Sequence, residues 1–177
     1  IMLSVIYTIL VKYVDVAPIG PKASSVGFST LNKFVFNFLG RSNIWYNITE
    51  VLGMISILIA LFYALIGLYK LIKYKSILKI DKEIIILGIF YFVVLLVYLF
   101  FEKVIINYRP VLVKGILEAS YPSSHTMLSI CICLSAIIIN NKLYKSMRIS
   151  KIINTLSIII MITTTIGRLL SGMHWVS

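Results

Sequence analysis

The chain has 177 residues, 60% of them hydrophobic, with a mean hydropathy of +1.00 and a formal net charge of +11. A soluble domain uses roughly half apolar residues, and here the excess lies in uninterrupted blocks, which excludes an ordinary water-soluble core. The basic residues cluster in short loops between those blocks, so the positive charge does not mark a nucleic-acid partner.

Residues 1–11 form the first apolar run. With no basic segment ahead of it and no small-residue cleavage site, it reads as a trimmed first span and not as a signal peptide. Residues 15–43 follow as a long connection. Pro18, Gly20, Pro21 and Gly27 punctuate its first part. In its second part Phe28, Leu31, Val35, Phe38 and Leu39 fit one helical face, whereas Phe34, Phe36 and Phe38 fit strand alternation. An amphipathic helix lying in the membrane interface is the preferred reading, placed to help lipid head groups enter a site. Trp45 and Tyr46 then open the second span where amphipathic rings are favoured.

Residues 51–69 and 84–101 carry no charge, and each approaches the ~20 residues needed to cross a bilayer as a helix. Runs 126–140 and 152–167 are shorter and gain length from Ser, His or Arg residues at their ends. Cys131 and Cys133 would point ~200° apart on a helix and cannot pair. No Cys/His grouping has metal-ligand spacing, so no metal and no cofactor is predicted. The expected fold is an all-α polytopic transmembrane bundle in one membrane-embedded domain, residues 1–177, trimmed at both ends.

Lysine and arginine asymmetry sets the orientation. Lys70, Lys73, Lys75, Lys79 and Lys82 crowd one short loop, and Lys142, Lys145, Arg148 and Lys151 another, so both are expected in the cytoplasm. The 15–43 connection, with Lys22, Lys33 and Arg41 thinly spread, falls outside. Three polar clusters then share the outer rim: Lys103…Arg109-Pro110, Pro122-Ser123-Ser124-His125 and Arg168…His174. His125 precedes Lys142 by 17 positions and Arg168 follows Lys151 by 17, which puts both about 25 Å above the inner loops.

These clusters hold the only two histidines of the chain. Hydrolysis of a phosphate ester needs cations around the phosphoryl oxygens, a positioned nucleophile and a protonated leaving group. Arg109 and Arg168 offer planar forks of donors and Lys103 a compact charge. A Pro-Ser-Ser-His turn opening a helix adds hydroxyls and backbone N–H groups at the positive end of the dipole. One histidine can attack phosphorus while the other protonates the leaving oxygen. Read singly, each histidine or arginine is an interfacial residue, and Glu102 and Glu118 are solvated rim residues or charge partners. Tyr108, Tyr121 and Trp175 read as an outer aromatic belt.

The order and spacing of the three clusters resemble those of the type-2 phosphatidic acid phosphatase superfamily, to which vanadium haloperoxidases are related. The family pattern is Lys, six residues, Arg-Pro; then Pro-Ser-Gly-His; then Ser-Arg, five residues, His, three residues, Asp. The resemblance implies six spans, five of them present here, with the site on the outer side. It implies that His174 is the nucleophile and forms a phosphohistidine, that His125 is the general acid, and that Arg109, Arg168, Ser123, Ser124 and Lys103 bind phosphate.

Four departures accompany it. Only five residues separate Lys103 from Arg109, a slip of ~100° on a helix. Ser124 stands where the family has glycine, and Gly167 where it has serine, removing a hydroxyl. The family's aspartate would fall one position after Ser177.

The expected activity is metal-independent hydrolysis of a lipid phosphate of the phosphatidate or undecaprenyl diphosphate type in a bacterial cytoplasmic membrane. The expected partners are that substrate and membrane lipids, with the oligomeric state open. A catalytically inactive scaffold relative and an anion-binding transporter subunit are the alternatives.

Overall fold

The two charge-free runs become the middles of the two most apolar helices, because in hydrocarbon a backbone must satisfy its own hydrogen bonds. The computed structural model describes residues 2–144 and 148–177, so Ile1 and Lys145 of the expected runs lie outside the described residues. Its elements are α1 (Met2–Tyr13), α2 (Ser29–Leu39), α3 (Asn43–Tyr74), α4 (Lys82–Lys103), α5 (Ser124–Leu143) and α6 (Arg148–Leu170). Among the described residues there are isolated antiparallel bridges and no longer strands.

The 22, 20 and 23 residues of α4, α5 and α6 correspond to about 30–35 Å at 1.5 Å per residue, matching a hydrocarbon core ~30 Å thick. α3 is longer, at 32 residues. These four helices are long and apolar enough to cross a membrane, as an integral membrane protein requires. The 12 residues of α1 reach only about 18 Å, so four of the five expected spans have spanning length here.

The chain divides into two compact units. The first comprises Ile1–Thr49, Tyr98–Ser124 and Thr165–Ser177. Here the connection after α1 is folded by a reciprocal pair of main-chain bonds between Ala17 and Val26, 2.9 and 3.1 Å. Phe28, in the N-cap position of α2 at φ +48°, has no side-chain acceptor to offer. Asp15 supplies one from a distance: its Oδ2 accepts from the Thr30 amide at 2.8 Å and its Oδ1 from the Ser29 hydroxyl at 3.0 Å.

The choice between helix and strand in this segment resolves to helix, with a division of faces that differs from the expected one. Asn32, Val35, Phe36 and Leu39 close on Leu169, His174 and Trp175, leaving a cavity of about 10 Å³. Leu31, Phe34 and Phe38 are exposed instead, giving α2 an apolar outer stripe. The Asn32 side chain donates to the Gly27 carbonyl at 2.7 Å, and its Oδ1 accepts from the Ser177 amide at 3.2 Å.

The second unit comprises Glu50–Val97 and His125–Thr164. Tyr63, Ile84, Leu87, Ala136 and Ile139 form its buried core. Lipid tails supply no hydrophobic drive between helices, so small residues and polar pins carry the association. The Tyr63 hydroxyl donates to Asn140 Oδ1 at 2.6 Å, Asn140 Nδ2 to Asn154 Oδ1 at 3.0 Å, and the Ser56 and Ser129 hydroxyls share a bond of 3.0 Å. At the helix ends Lys70 pairs with Asp81, and Lys142 with Glu83. Both cysteines are free.

The hydrogen bonds from Thr30 and Ser29 hold the Asp15 carboxyl below the usual carboxylate range. A carboxyl depressed in the folded state gives stability that is present above its unfolded pKa and lost as pH falls through the folded value. Hydrogen exchange of α2, corrected for intrinsic rates, is therefore expected to accelerate on acidification below pH ~4. Asp15→Asn should remove most of that acid dependence.

Candidate functional site

Between α4 and α5 the chain folds into a short hairpin that the apolar pattern did not foretell. Lys114 and Gly115 lie at φ +50° and +80°, the left-handed pair that a tight two-residue turn requires. Val113 and Ile116 exchange main-chain bonds of 3.0 and 2.9 Å, and the Arg109 amide donates to the Glu118 carbonyl at 3.0 Å. The Ser120 amide donates to the Asn107 carbonyl at 2.8 Å, which fixes the base of the hairpin. Arg109 is tied down in this frame, its Nε donating to the Ala119 carbonyl at 3.2 Å and its terminal nitrogen lying 3.3 Å from Glu118 Oε2. Glu118 is thus a charge partner.

The segment after α6 is fastened to the same hairpin by two side chains. Trp175 Nε1 donates to the Tyr108 carbonyl at 2.7 Å, and His174 Nδ1 lies 2.7 Å from the Ser120 carbonyl. A carbonyl oxygen only accepts, so Nδ1 carries the proton and Nε2 of the neutral ring keeps its lone pair. Arg168 reaches that nitrogen with one terminal nitrogen at 3.4 Å. Trp175, expected in an outer aromatic belt, is buried at 8% exposure.

Arg168 is itself 1% exposed. Its other terminal nitrogen donates to Thr49 Oγ1 at 3.2 Å, and its guanidinium stands 5.7 Å from the centroid of Tyr46. Thr49 and Tyr46 come from the first turns of α3, which pack tightly on the end of α6. A Cβ at Gly167 would lie 2.6 Å from Thr49 Cγ2 and 3.0 Å from Trp45 Cε3. Glycine at position 167 is therefore required by this contact, and Thr49 brings a hydroxyl to Arg168 from another helix.

The remaining phosphate-site candidates divide as follows. Ser123 and Ser124 are half-buried, and Ser124 is the first residue of α5, a right-handed helical position that a Cβ tolerates. Lys103 is exposed at the last position of α4. All six candidates for phosphate binding and nucleophile, Lys103, Arg109, Ser123, Ser124, Arg168 and His174, belong to the first unit, where His174 and Arg168 are in direct contact. His125 belongs to the second. There its Nε2 lies 3.3 Å from Glu50 Oε1, and its ring rests against Gly53.

No family model, no curated protein and no solved structure matches the chain.

A cleft of about 390 Å³ lined by residues such as Tyr63, Leu71, Ile84 and Gly88 carries none of these residues. Among the described residues no group of three or more His, Cys, Asp and Glu side chains gathers as a metal site. Sequence reasoning missed Thr49, Glu50 and Ser120. Glu50 left a signal, since it is an isolated acid at the mouth of an apolar run. The Ser120 carbonyl left none, because every residue has one.

Gly167→Ser is expected to destabilise the protein by about 1–3 kcal/mol through overpacking against Thr49 and Trp45. Adding Thr49→Ser, which removes Cγ2 and keeps the hydroxyl, should recover most of the loss. Thermal melting in detergent checks both.

Proposed function

We propose that the protein is an integral membrane phosphatase that hydrolyses a lipid phosphomonoester or diphosphate through a phosphohistidine intermediate. The observation that carries this reading is the His174 imidazole, held by the Ser120 carbonyl in the tautomer that keeps Nε2 nucleophilic, with a buried guanidinium at that same nitrogen. In the resting protein the Arg168 N–H donates toward Nε2. An arriving phosphate oxygen is a stronger acceptor for that donor. Its transfer to the phosphate frees the Nε2 lone pair as the phosphorus comes within reach.

Arg168 then offsets charge on the equatorial oxygens. Arg109 adds a second guanidinium on the rigid hairpin, its charge balanced by Glu118 until an anion competes for it. Ser123 and Ser124 contribute hydroxyls at the positive end of the α5 dipole. Lys103, exposed at the end of α4, acts as a cation that draws the anion in rather than as a close ligand. His125 gives its proton to the leaving oxygen and afterwards takes one from the attacking water.

In this reading the site faces away from the cytoplasm, as in a bacterial cytoplasmic membrane. The substrate is of the phosphatidate or undecaprenyl diphosphate type, and the reaction uses no cofactor.

The test is phosphate release by the full-length protein from a panel of lipid phosphates with chelator present. His174→Ala is expected to lower kcat/KM by about 10³-fold or more, and His125→Ala by about 10²–10⁴-fold on an alkyl phosphate. Undiminished turnover by His174→Ala would sink the mechanism. An absolute requirement for a divalent ion would count against the proposed chemistry as a whole.

A further inference from the structure

Within the second unit, α3 and α4 leave between them the cleft of about 390 Å³, a volume typical of small-molecule sites. Tyr63, Gly67 and Leu71 line it at intervals of four, so one face of α3 forms a wall. Gly88 and Tyr91 line it from α4. At 1.5 Å per residue, the stretch from Tyr63 to Leu71 makes that wall about 12 Å long. The glycines shape the space differently. A Cβ at Gly67 would stand 3.1 Å from Ile84 Cγ2, whereas one at Gly88 would meet nothing within 4 Å.

The walls are almost wholly apolar. Both tyrosines spend their hydroxyls elsewhere: Tyr63 donates to Asn140 Oδ1 at 2.6 Å, and Tyr91 shares a 3.1 Å bond with Ser135 Oγ. A polar group entering this space would lose water and gain no partner. Hydrocarbon suits it.

One end of the cleft has the opposite character. Leu71 and Ile80 line it where α3 gives way to the turn before α4, and that region carries Lys70, Lys73, Lys75, Lys79 and Lys82. Asp81 is taken by Lys70 and Glu83 by Lys142, so the other four lysines have no salt bridge among the described residues. All four are exposed. The Lys73 ammonium lies 5.8 and 5.5 Å from the ring centroids of Tyr69 and Tyr74, and such rings are favoured at headgroup level. Leu78, 95% exposed in the same turn, adds an apolar tip. Clustered lysines beside a hydrocarbon slot complement an anionic head that carries an apolar tail.

We infer that this cleft and its lysine rim bind an anionic phospholipid, one acyl chain lying between α3 and α4 and the headgroup on Lys79 and Lys82. These two lysines flank Ile80, the wall residue contributed by the turn. The site shares no residue with the proposed phosphatase site and does not depend on that reading. A second copy of the chain suits the cleft less well. A two-fold contact through this face brings the same patch of each copy together, setting four lysines against four.

The experiment is native mass spectrometry of the full-length protein in dodecyl maltoside, titrated with dioleoylphosphatidylglycerol or dioleoylphosphatidylcholine. The anionic lipid is expected to bind about tenfold more tightly. Lys79→Gln combined with Lys82→Gln should bring the two lipids within about threefold of each other. Gly88→Leu puts a side chain into the cleft and should weaken both lipids about tenfold or more. Glycerophosphoglycerol, the same head without chains, should fail to displace the bound lipid at about a hundredfold excess.

Equal affinity for the two lipids, or wild-type binding by Gly88→Leu, would overturn the inference. Displacement by the chain-free head would do so too, because it places binding on the lysines alone. Loss of a wild-type dimer in Gly88→Leu, with lipid binding unchanged, would assign the cleft to a second copy instead. Should Gly88→Leu fail to fold by circular dichroism and gel filtration, Ile89→Trp takes its place at the exposed edge of the cleft. It is expected to weaken both lipids in the same way, and unchanged binding by it counts equally against the site.

Discussion

A guanidinium that is 1% exposed is the constraint around which the first unit is organised. Arginine stays charged, and a buried charge is tolerated only where hydrogen bonds and polarisable groups replace water. Arg168 receives that replacement from the Thr49 hydroxyl, the face of Tyr46 and the Nε2 atom of His174. Thr49 is prepared for the task by its own helix. Its hydroxyl lies 2.9 Å from the carbonyls of Trp45 and Tyr46, to which it donates back, so its lone pairs are left to accept from Arg168. The close packing at Gly167 brings α3 near enough for this to happen.

The second dependence is on main-chain carbonyls presented by a small hairpin. His174 and Trp175 each donate to one, at Ser120 and Tyr108, and the tautomer of the histidine follows from that bond. The hairpin is in turn held by Asn107. Its Oδ1 accepts from the Gly27 amide at 3.2 Å and its carbonyl from the Ser120 amide at 2.8 Å. The loop after α1, the base of the hairpin and the end of the chain thus share one hydrogen-bonded frame. Asn32 ties α2 into it through Gly27 and Ser177. His174 is thereby oriented by backbone geometry, and under the proposed phosphatase reading that orientation precedes any substrate and lowers the cost of reaching the transition state.

Uninterrupted apolar runs made the four long helices legible, and Arg168…His174 and Pro-Ser-Ser-His marked the residues worth placing. The faces of α2 were harder. Its outward residues Leu31, Phe34 and Phe38 are as apolar as the inward Val35, Phe36 and Leu39. Periodicity separates apolar from polar faces, and a helix apolar on both gives it nothing to separate. Trp175 misled for a related reason: an aromatic residue near a rim suits an interface, and nothing in its letter says that Tyr108 offers a carbonyl to the indole. Thr49 was hidden because it reaches Arg168 from a helix more than a hundred positions away in the chain.

The acids carry the remaining argument, because the chain has only six. Asp15 caps α2, Asp81 pairs with Lys70, Glu83 with Lys142 and Glu118 with Arg109. Glu102 stands exposed near the end of α4. Those four placements each match a carboxylate to a permanent cation or to backbone donors at a helix start. Glu50 alone is matched to an imidazole, the side chain whose charge changes most readily near neutral pH. Serine pairs and an asparagine ladder hold α3, α5 and α6 together in the second unit, so the helices do not depend on this pair alone.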